Sequence, residues 1–272
     1  MRRYTLDPAM PVLLRPDGAV QVGWDPRRAV LVRPPFGLSP RALAELLRTL
    51  QSGATLAVLQ ACFGVDASEL VASLVDSGVV TTAERKRTRA ASIRIHGRGP
   101  LSDLLAGALR CSGARVTHSS QTHAAPETTD LVVLSDFLVA DPRVVRELHT
   151  ARVAHLPVRL RDGAGLVGPL VIPGVTSCLG CADLHRSDRD AAWPAVASQL
   201  RDAVGSADRA TVLATAALAL NQVDRVIRAV RHGEAEGTTA EPPPTLDTTL
   251  EFDVNAGAIV ARRWSRHPQC GC

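Results

Sequence analysis

The sequence predicts an α/β protein built in two parts: a small unit of strands followed by helices, and a larger unit of alternating strands and helices closed by a metal. Three observations predict it. Residues 12–78 carry three short alternating apolar runs and then three stretches of helical spacing with cap and stop residues. After the charged stretch Glu84-Arg85-Lys86-Arg87-Thr88-Arg89 the pattern turns to strand, helix, strand, the way a parallel sheet reads. Finally, Cys178-Leu179-Gly180-Cys181 and Cys270-Gly271-Cys272 form two close-spaced pairs, enough sulfur for a closed tetrahedral site. The boundaries that follow are residues 1–85, a solvated linker over 86–91, and residues 92–272.

In the first unit, Val12–Arg15 and Ala19–Trp24 read as strands joined by the turn Pro16-Asp17-Gly18. Asp25-Pro26 makes the next turn and Ala29–Arg33 the third strand. Ser39 is the N-cap of a helix with Pro40 at its first position, ending near Gly53. A short helix from about Leu56 to Cys62 stops at Gly64. Asp66-Ala67-Ser68-Glu69 resembles a capping box, and Leu70, Val71, Leu74 and Val75 form the buried face of the helix it opens, which ends at Gly78.

Three strands and three helices of this size suggest a winged-helix module, which binds either DNA or peptide. Charge separates the two. Residues 1–80 carry eight arginines (2, 3, 15, 27, 28, 33, 41 and 48) and seven acids (7, 17, 25, 45, 66, 69 and 76), a balance of +1. A DNA reader carries a basic stripe that neutralises phosphates. The expected partner is therefore a peptide, added to an exposed strand edge, and not nucleic acid.

The second unit opens with the strand Ser92–His96, the turn Gly97-Arg98-Gly99-Pro100-Leu101-Ser102 and a helix to about Cys111, closed by Gly113. Strands follow at Ala114–Thr117 and Asp130–Leu134, then a helix over Asp141–Thr150 and a strand within Ala151–Leu160. Further helices begin near Ala191 and run from about Ser206 to Arg231, with Val223, Val226, Ile227 and Val230 packing its end. Glu234–Pro244 reads as a loop rich in glycine, proline and acids.

The glycine turn matches a dinucleotide fingerprint only in part. Gly97 and Gly99 suit a turn that brings backbone close to a phosphate. Ser102 stands where the third glycine belongs, and Pro100 lacks the N–H that a phosphate cradle uses. The ribose-binding acid is missing too: Thr117-His118-Ser119-Ser120 contains none, and the next acid is Glu127. The turn is thus expected to define the fold without holding a ligand.

The cysteines carry the sharpest chemical signal. Cys178, Cys181, Cys270 and Cys272 are expected to bind one structural zinc, with Gly180 and Gly271 letting each pair fold tightly. Disulfides are the competing reading, and nothing else in the chain looks secreted. Cys62 and Cys111 have no base beside them in sequence and are expected to be buried apolar fillers. His185-Arg186 and Asp188-Arg189-Asp190 read either as acid–base groups or as salt bridges and a cap for the helix near Ala191. His267 is an outer-shell donor to the metal site or an alternative ligand.

Composition excludes other classes. Hydrophobic residues make up 46% and aromatics 3%, so the core is built of Val, Leu and Ala. The N-terminal residues hold no apolar run, so no signal peptide is expected. The charge-free stretch Ala210–Val223 is shorter than the roughly 18 apolar residues of a membrane span. A cytoplasmic protein with no membrane partner is the expectation. A net charge of +4, carried almost wholly by arginine, indicates a GC-rich genome more than a nucleic-acid surface.

Pro173-Gly174-Val175-Thr176-Ser177-Cys178-Leu179-Gly180-Cys181-Ala182-Asp183-Leu184-His185-Arg186 resembles the segment after the sheet in ThiF-like cyclodehydratase partner proteins. These relatives of the ubiquitin-activating enzymes act in azole- and azoline-modified (TOMM) peptide biosynthesis. Asp188-Arg189-Asp190-Ala191-Ala192-Trp193-Pro194 and Trp264-Ser265-Arg266-His267-Pro268-Gln269-Cys270-Gly271-Cys272 are similar to that family too. The first unit resembles the winged-helix RiPP recognition element that precedes the ThiF-like, incomplete Rossmann-like domain. The resemblance implies a division of labour. The recognition element captures the leader of a precursor peptide, with Ala29–Arg33 and about Asp66–Ser77 as the walls of its groove. The zinc-stapled domain docks a separate YcaO-type enzyme, which uses ATP to cyclise Cys, Ser or Thr side chains. A homodimer is the further assembly considered. Asp136 matches the acid that helps bind magnesium-ATP in active relatives, and Phe137 replaces the asparagine that follows it there. Gly97, Gly99 and Asp136 would then be a vestigial nucleotide site, with ATP not expected to bind, whereas a lone carboxylate after a strand reads by itself as a helix cap or a solvated loop residue. The alternatives are an ATP-dependent adenylating enzyme and a winged-helix DNA-binding regulator.

Overall fold

The computed structural model describes residues 2–84, 89–119, 129–232 and 242–272. Residues 86–88 of the expected linker, Ser120, Glu127 and residues 234–241 of the expected loop lie outside them. The chain forms two compact units, Met1–Arg87 and Thr88–Cys272.

In the first unit, β1 (Arg2–Leu6) is followed by β2 (Val12–Leu14), β3 (Val20–Val22) and β4 (Val30–Val32). The last three form an antiparallel sheet in that order, with Val12 opposite Val22 and Val20 opposite Val32. Gly18, at φ +78, supplies the left-handed turn position between β2 and β3. Helix α1 (Pro40–Gln51) is capped by Ser39, whose hydroxyl accepts from the Ala42 N–H at 3.1 Å. Leu43, Leu46, Leu47 and Leu50 recur at helical spacing and are fully buried on its inner face. Each such leucine gains about 2 kcal/mol on leaving water. Helix α2 (Leu56–Phe63) ends at Gly64 in the left-handed conformation. Helix α3 (Ser68–Asp76) buries Val71 and Leu74 in the same core, with Leu70 and Val75 half-buried against it.

Three expectations are corrected in this unit. Helix α3 has no capping box: its N-cap is Ala67, and Asp66 accepts from the Ser68 N–H at 2.9 Å. Three strands become five, because β5 (Val80–Glu84) returns to pair antiparallel with β1, Leu6 opposite Val80. Neither strand has a turn beside it that joins it to the other. Cys62 is exposed, because α2 buries only Leu59.

The second unit is a seven-stranded mixed sheet. In chain order it contains β6 (Ser92–His96), α4 (Pro100–Leu109), β7 (Arg115–Ser119), β8 (Leu131–Ser135), α5 (Pro142–Thr150) and β9 (His155–Arg161). There follow β10 (Ala164–Val167), α6 (Leu179–Ser187), α7 (Trp193–Leu200), α8 (Arg209–His232), β11 (Thr248–Asp253) and β12 (Ala258–Arg263). Strands β7, β6, β8 and β9 run parallel in that order, as the alternating pattern predicts. Strands β10, β11 and β12 then extend the sheet antiparallel from β9, an extension the sequence reading lacked. Residues 151–154 form no strand, and Cys111 is exposed in the turn after α4.

Strand β8 is buried along its whole length and shows how the sheet is covered on both faces. Leu131 and Val133 point into a cluster with Leu101, Leu105 and Leu109 of α4 and Ala216, Ala219, Val223 and Ile227 of α8. Val132 and Leu134 point the other way, onto Val144 and Leu148 of α5 and the Cys178–Cys181 turn. Asp208 starts α8, accepting from the Thr211 N–H and hydroxyl at 2.9 and 2.7 Å. Helix α8 crosses β10 at Gly165, where a Cβ would collide with the Thr215 hydroxyl. Among the described residues no helix is long and apolar enough to cross a membrane.

Candidate metal centre and helix cradle

The two cysteine pairs come together on the α5 face of the sheet. Cys178 is the N-cap of α6, its Sγ accepting from the Cys181 N–H at 3.4 Å, so the first turn of the helix aims both sulfurs the same way. Cys270 and Cys272 reach them from the C-terminal segment. The Sγ separations are 3.8 Å for Cys178–Cys181, 3.5 Å for Cys178–Cys270 and 3.4 Å for Cys181–Cys272. Four sulfurs about 2.3 Å from a zinc ion stand about 3.8 Å apart along the edges of a tetrahedron. All four lie within 4.8 Å of one another, so the donor set fits a zinc-class ion with no open position.

Protonation follows from the crowding. Burial pushes the Cys178 and Cys272 thiols up. Burial works against Cys181 as well, but hydrogen bonds from the His267 and Cys178 backbone and from the neighbouring thiols bring it down to about 7. A metal ion bound by these sulfurs displaces thiol protons.

Several residues hold the two sulfur-bearing segments, and of these Asp247 gave no sign in the sequence spacing. Asp247 accepts from the Ser177 N–H at 2.6 Å and the Ser177 hydroxyl at 2.8 Å, next to Cys178. Its carbonyl accepts from the Trp264 N–H at 2.7 Å, so one residue fixes the approach of both segments. The Arg186 guanidinium lies between the rings of Trp193 and Trp264, 5.0 and 5.1 Å from their centroids, and pairs with Asp183 at 2.8 Å. His267 is buried, and its Nε2 stands 2.8 Å from Asp188. Asp190 caps the turn before α7, accepting from the Ala192 N–H.

The glycine turn lies elsewhere, at the carboxyl ends of the parallel strands. The chain leaves β6 through α4 to β7 on one side and returns to β8 on the other, so the crevice between β6 and β8 is the topological switch point. Asp136 closes that crevice. Its carboxylate accepts from the Leu101 N–H at 2.9 Å and the Ser102 N–H at 3.1 Å, the first free donors of α4. Ser102 accepts from the Gly99 N–H at 3.0 Å and completes the cap. Asp136 is 1% exposed and holds φ +72, a strained angle that lets it turn back over the helix end. Gly97 and Gly99 make room for this: a Cβ on Gly97 would strike the Ser135 carbonyl, and one on Gly99 would come within 2.8 Å of the Asp136 carboxylate. The donors that would cradle a phosphate are thus taken by the chain's own carboxylate. Beside it a cavity of about 100 Å³ is lined by His96, Phe137, Asp141, Arg159 and Arg201. Burial and the nearby Arg186 draw the Arg159 pKa down to about 10, although Asp183 opposes this.

No protein-family model matches the chain, and no curated protein does. Solved structures do. A heterocyclase in complex with substrate and cofactor superposes with a TM-score of 0.69 at 16% identity, covering 100% of this chain and 39% of that one. The heterocyclase TruD gives 0.67 at 17% identity, covering 100% of this chain and 42% of its own. The chain therefore spans about two fifths of the length of these two heterocyclases. Escherichia coli MccB with ATP gives 0.58 at 13% identity, covering 99% of both chains. At these identities the likeness concerns the fold.

Proposed function

We propose that this chain recognises the leader of a precursor peptide and presents the peptide to a separate YcaO-type, ATP-dependent cyclodehydratase. In this reading Met1–Arg87 is a winged-helix recognition element and Thr88–Cys272 a ThiF-like domain stapled by zinc. The observation that carries it is the β4 edge. Strand β4 ends its sheet with no outer partner among the described residues, and Leu31 on it is 55% exposed. Trp24 and Phe36, in the turns on either side, are exposed as well. An unpaired edge with large apolar side chains suits a peptide that adds as a further strand, main chain to main chain. The fold shared with two heterocyclases supports the setting, and Asp136 in the α4 cradle supports a presenting role over a catalytic one.

The test measures binding of the cognate precursor's leader peptide. Residues 1–85, which keep the β1–β5 pair and its core, should bind the leader about as tightly as the full chain, and residues 90–272 should not. Affinity should change little with salt, because the charge of residues 1–80 is nearly balanced. Leader binding by the C-terminal fragment alone would overturn the reading.

A second reading, an adenylating enzyme, is favoured by one observation: MccB with ATP covers 99% of both chains. Pyrophosphate exchange with magnesium and ATP separates the two. Exchange together with a micromolar dissociation constant would select the enzyme, whereas affinity about millimolar or weaker fits the presenting subunit.

A further inference from the structure

We propose a second metal site beside the four sulfurs, in which His185, Asp188 and His267 bind a divalent first-row transition ion of the zinc class. Their ligand atoms all lie within 4.8 Å of one another. The two imidazole rings meet edge to face, with centroids 4.8 Å apart. His185 lies on α6 and Asp188 caps its end, while His267 comes from the segment that carries Cys270. The new site therefore joins the same two segments as the sulfurs do.

The His267 ring turns its Nε2 toward Asp188 and the ion. Its Nδ1 accepts from the Gln269 N–H at 3.1 Å, so Nε2 carries the proton shared with Asp188 at 2.8 Å. A metal ion takes the Nε2 lone pair only if the ring's proton moves: the Nε2–H bond breaks, a proton is placed on Nδ1 so that the ring stays neutral, and the N–H of the exposed Gln269 turns from Nδ1 to water. Bonds of about 2.1 Å place nitrogen and oxygen about 3.4 Å apart across a tetrahedral ion, so the Asp188 carboxylate must retreat by about 0.6 Å. It can do so, because its side chain is 60% exposed, whereas that of His267 is 5% exposed and acts as the fixed anchor. His185 must give up its bonds to the Ser265 carbonyl and hydroxyl, at 3.1 and 3.3 Å, both at the surface.

Charge adds a second argument, which rests on the four-sulfur site being filled. Four thiolates around a 2+ ion leave a net charge of −2. That charge adjoins His267, whose carbonyl accepts from the Cys270 N–H at 3.0 Å. A second cation there is held by the excess charge as well as by its own ligands. Two imidazoles and one carboxylate would leave a coordination position open, unlike the closed sulfur site.

Metal content of the full-length protein, saturated with zinc and desalted, tests the proposal. Wild type should hold about two zinc ions per chain, and His185→Ala and Asp188→Asn about one each. Asp188→Asn keeps an acceptor for His267, and His185→Ala leaves the His267–Asp188 bond intact, so both variants should melt like wild type in the presence of a chelator. Two ions in both variants overturn the second site, and so does a single ion in wild type that His185→Ala retains. Cys270→Ser separates this outcome from failure of the sulfur site. A single ion lost in Cys270→Ser but kept in His185→Ala leaves the sulfur site standing and removes the new one. A single ion showing the reverse pattern keeps the new site and removes the sulfur site.

Discussion

Asp136 is the residue whose removal should be felt most around the helix cradle. Replacing it with alanine strands the Leu101 and Ser102 N–H groups in a buried place and leaves the side chain's strained backbone without its compensation. A buried donor without an acceptor costs about 1–3 kcal/mol, so Asp136→Ala should lose about 3 kcal/mol and Asp136→Asn, which keeps one oxygen, about 1 kcal/mol. Urea midpoints of the three proteins measure this, and equal loss in both variants would show that the charge, not the second acceptor, is what matters. At this scale the sequence was legible where partners lie close together. The cysteine pairs declared themselves by spacing alone. Asp136 meets donors 34 and 35 residues away, and Asp247 meets Ser177 across 70 residues, so local spacing could not name the partners of either.

Strand β9 begins on a buried histidine, and the last turn of helix α5 sets a half-buried one against it. His155 is fully buried, with Nδ1 3.1 Å from the Val153 carbonyl and Nε2 without a hydrogen-bond partner among the described residues. Its ring stands edge-on to His149 at 5.4 Å. Burial first, and then the neighbouring His149, bring its pKa from 6.5 down to about 4 against the pull of the Val153 carbonyl. The fold therefore prefers the neutral ring. Its contribution is complete above the unfolded pKa of 6.5 and is lost as pH falls from there to about 4. The loss amounts to about 3 kcal/mol. In His155→Leu the fall in stability across that window should shrink by this amount; an unchanged pH profile would refute the assignment. Elements with their own punctuation were readable in advance: Ser39-Pro40 starts α1, Gly64 ends α2, and Pro16-Asp17-Gly18 joins β2 to β3. The β1–β5 pair and the β10–β12 extension were not. Their partners meet only after a whole unit, or after α8, has folded between them, and short apolar runs of that kind carry no address.

At the scale of the molecule, each unit has its own hydrophobic core, and only Thr88–Cys272 carries a candidate metal cluster among the described residues. A structural zinc is folding free energy for the unit that holds it. Calorimetry should show a transition that falls when a strong chelator is added and another that does not. Deleting the last three residues, and with them Cys270 and Cys272, should reproduce the chelator's effect without it. If both transitions fall together, the metal serves the whole chain and not one unit.

The carboxylate over the α4 cradle is, in effect, a ligand that never dissociates. A free phosphate arriving at those two N–H groups meets a competitor on the same chain, present at an effective concentration that is at least about millimolar even for a floppy tether. Here the tether is a buried residue held at one backbone angle, which raises that figure further. Its occupancy cannot be diluted away, and a soluble anion must displace it before making a first contact. The switch-point crevice thus behaves as a receptor already saturated by its own side chain.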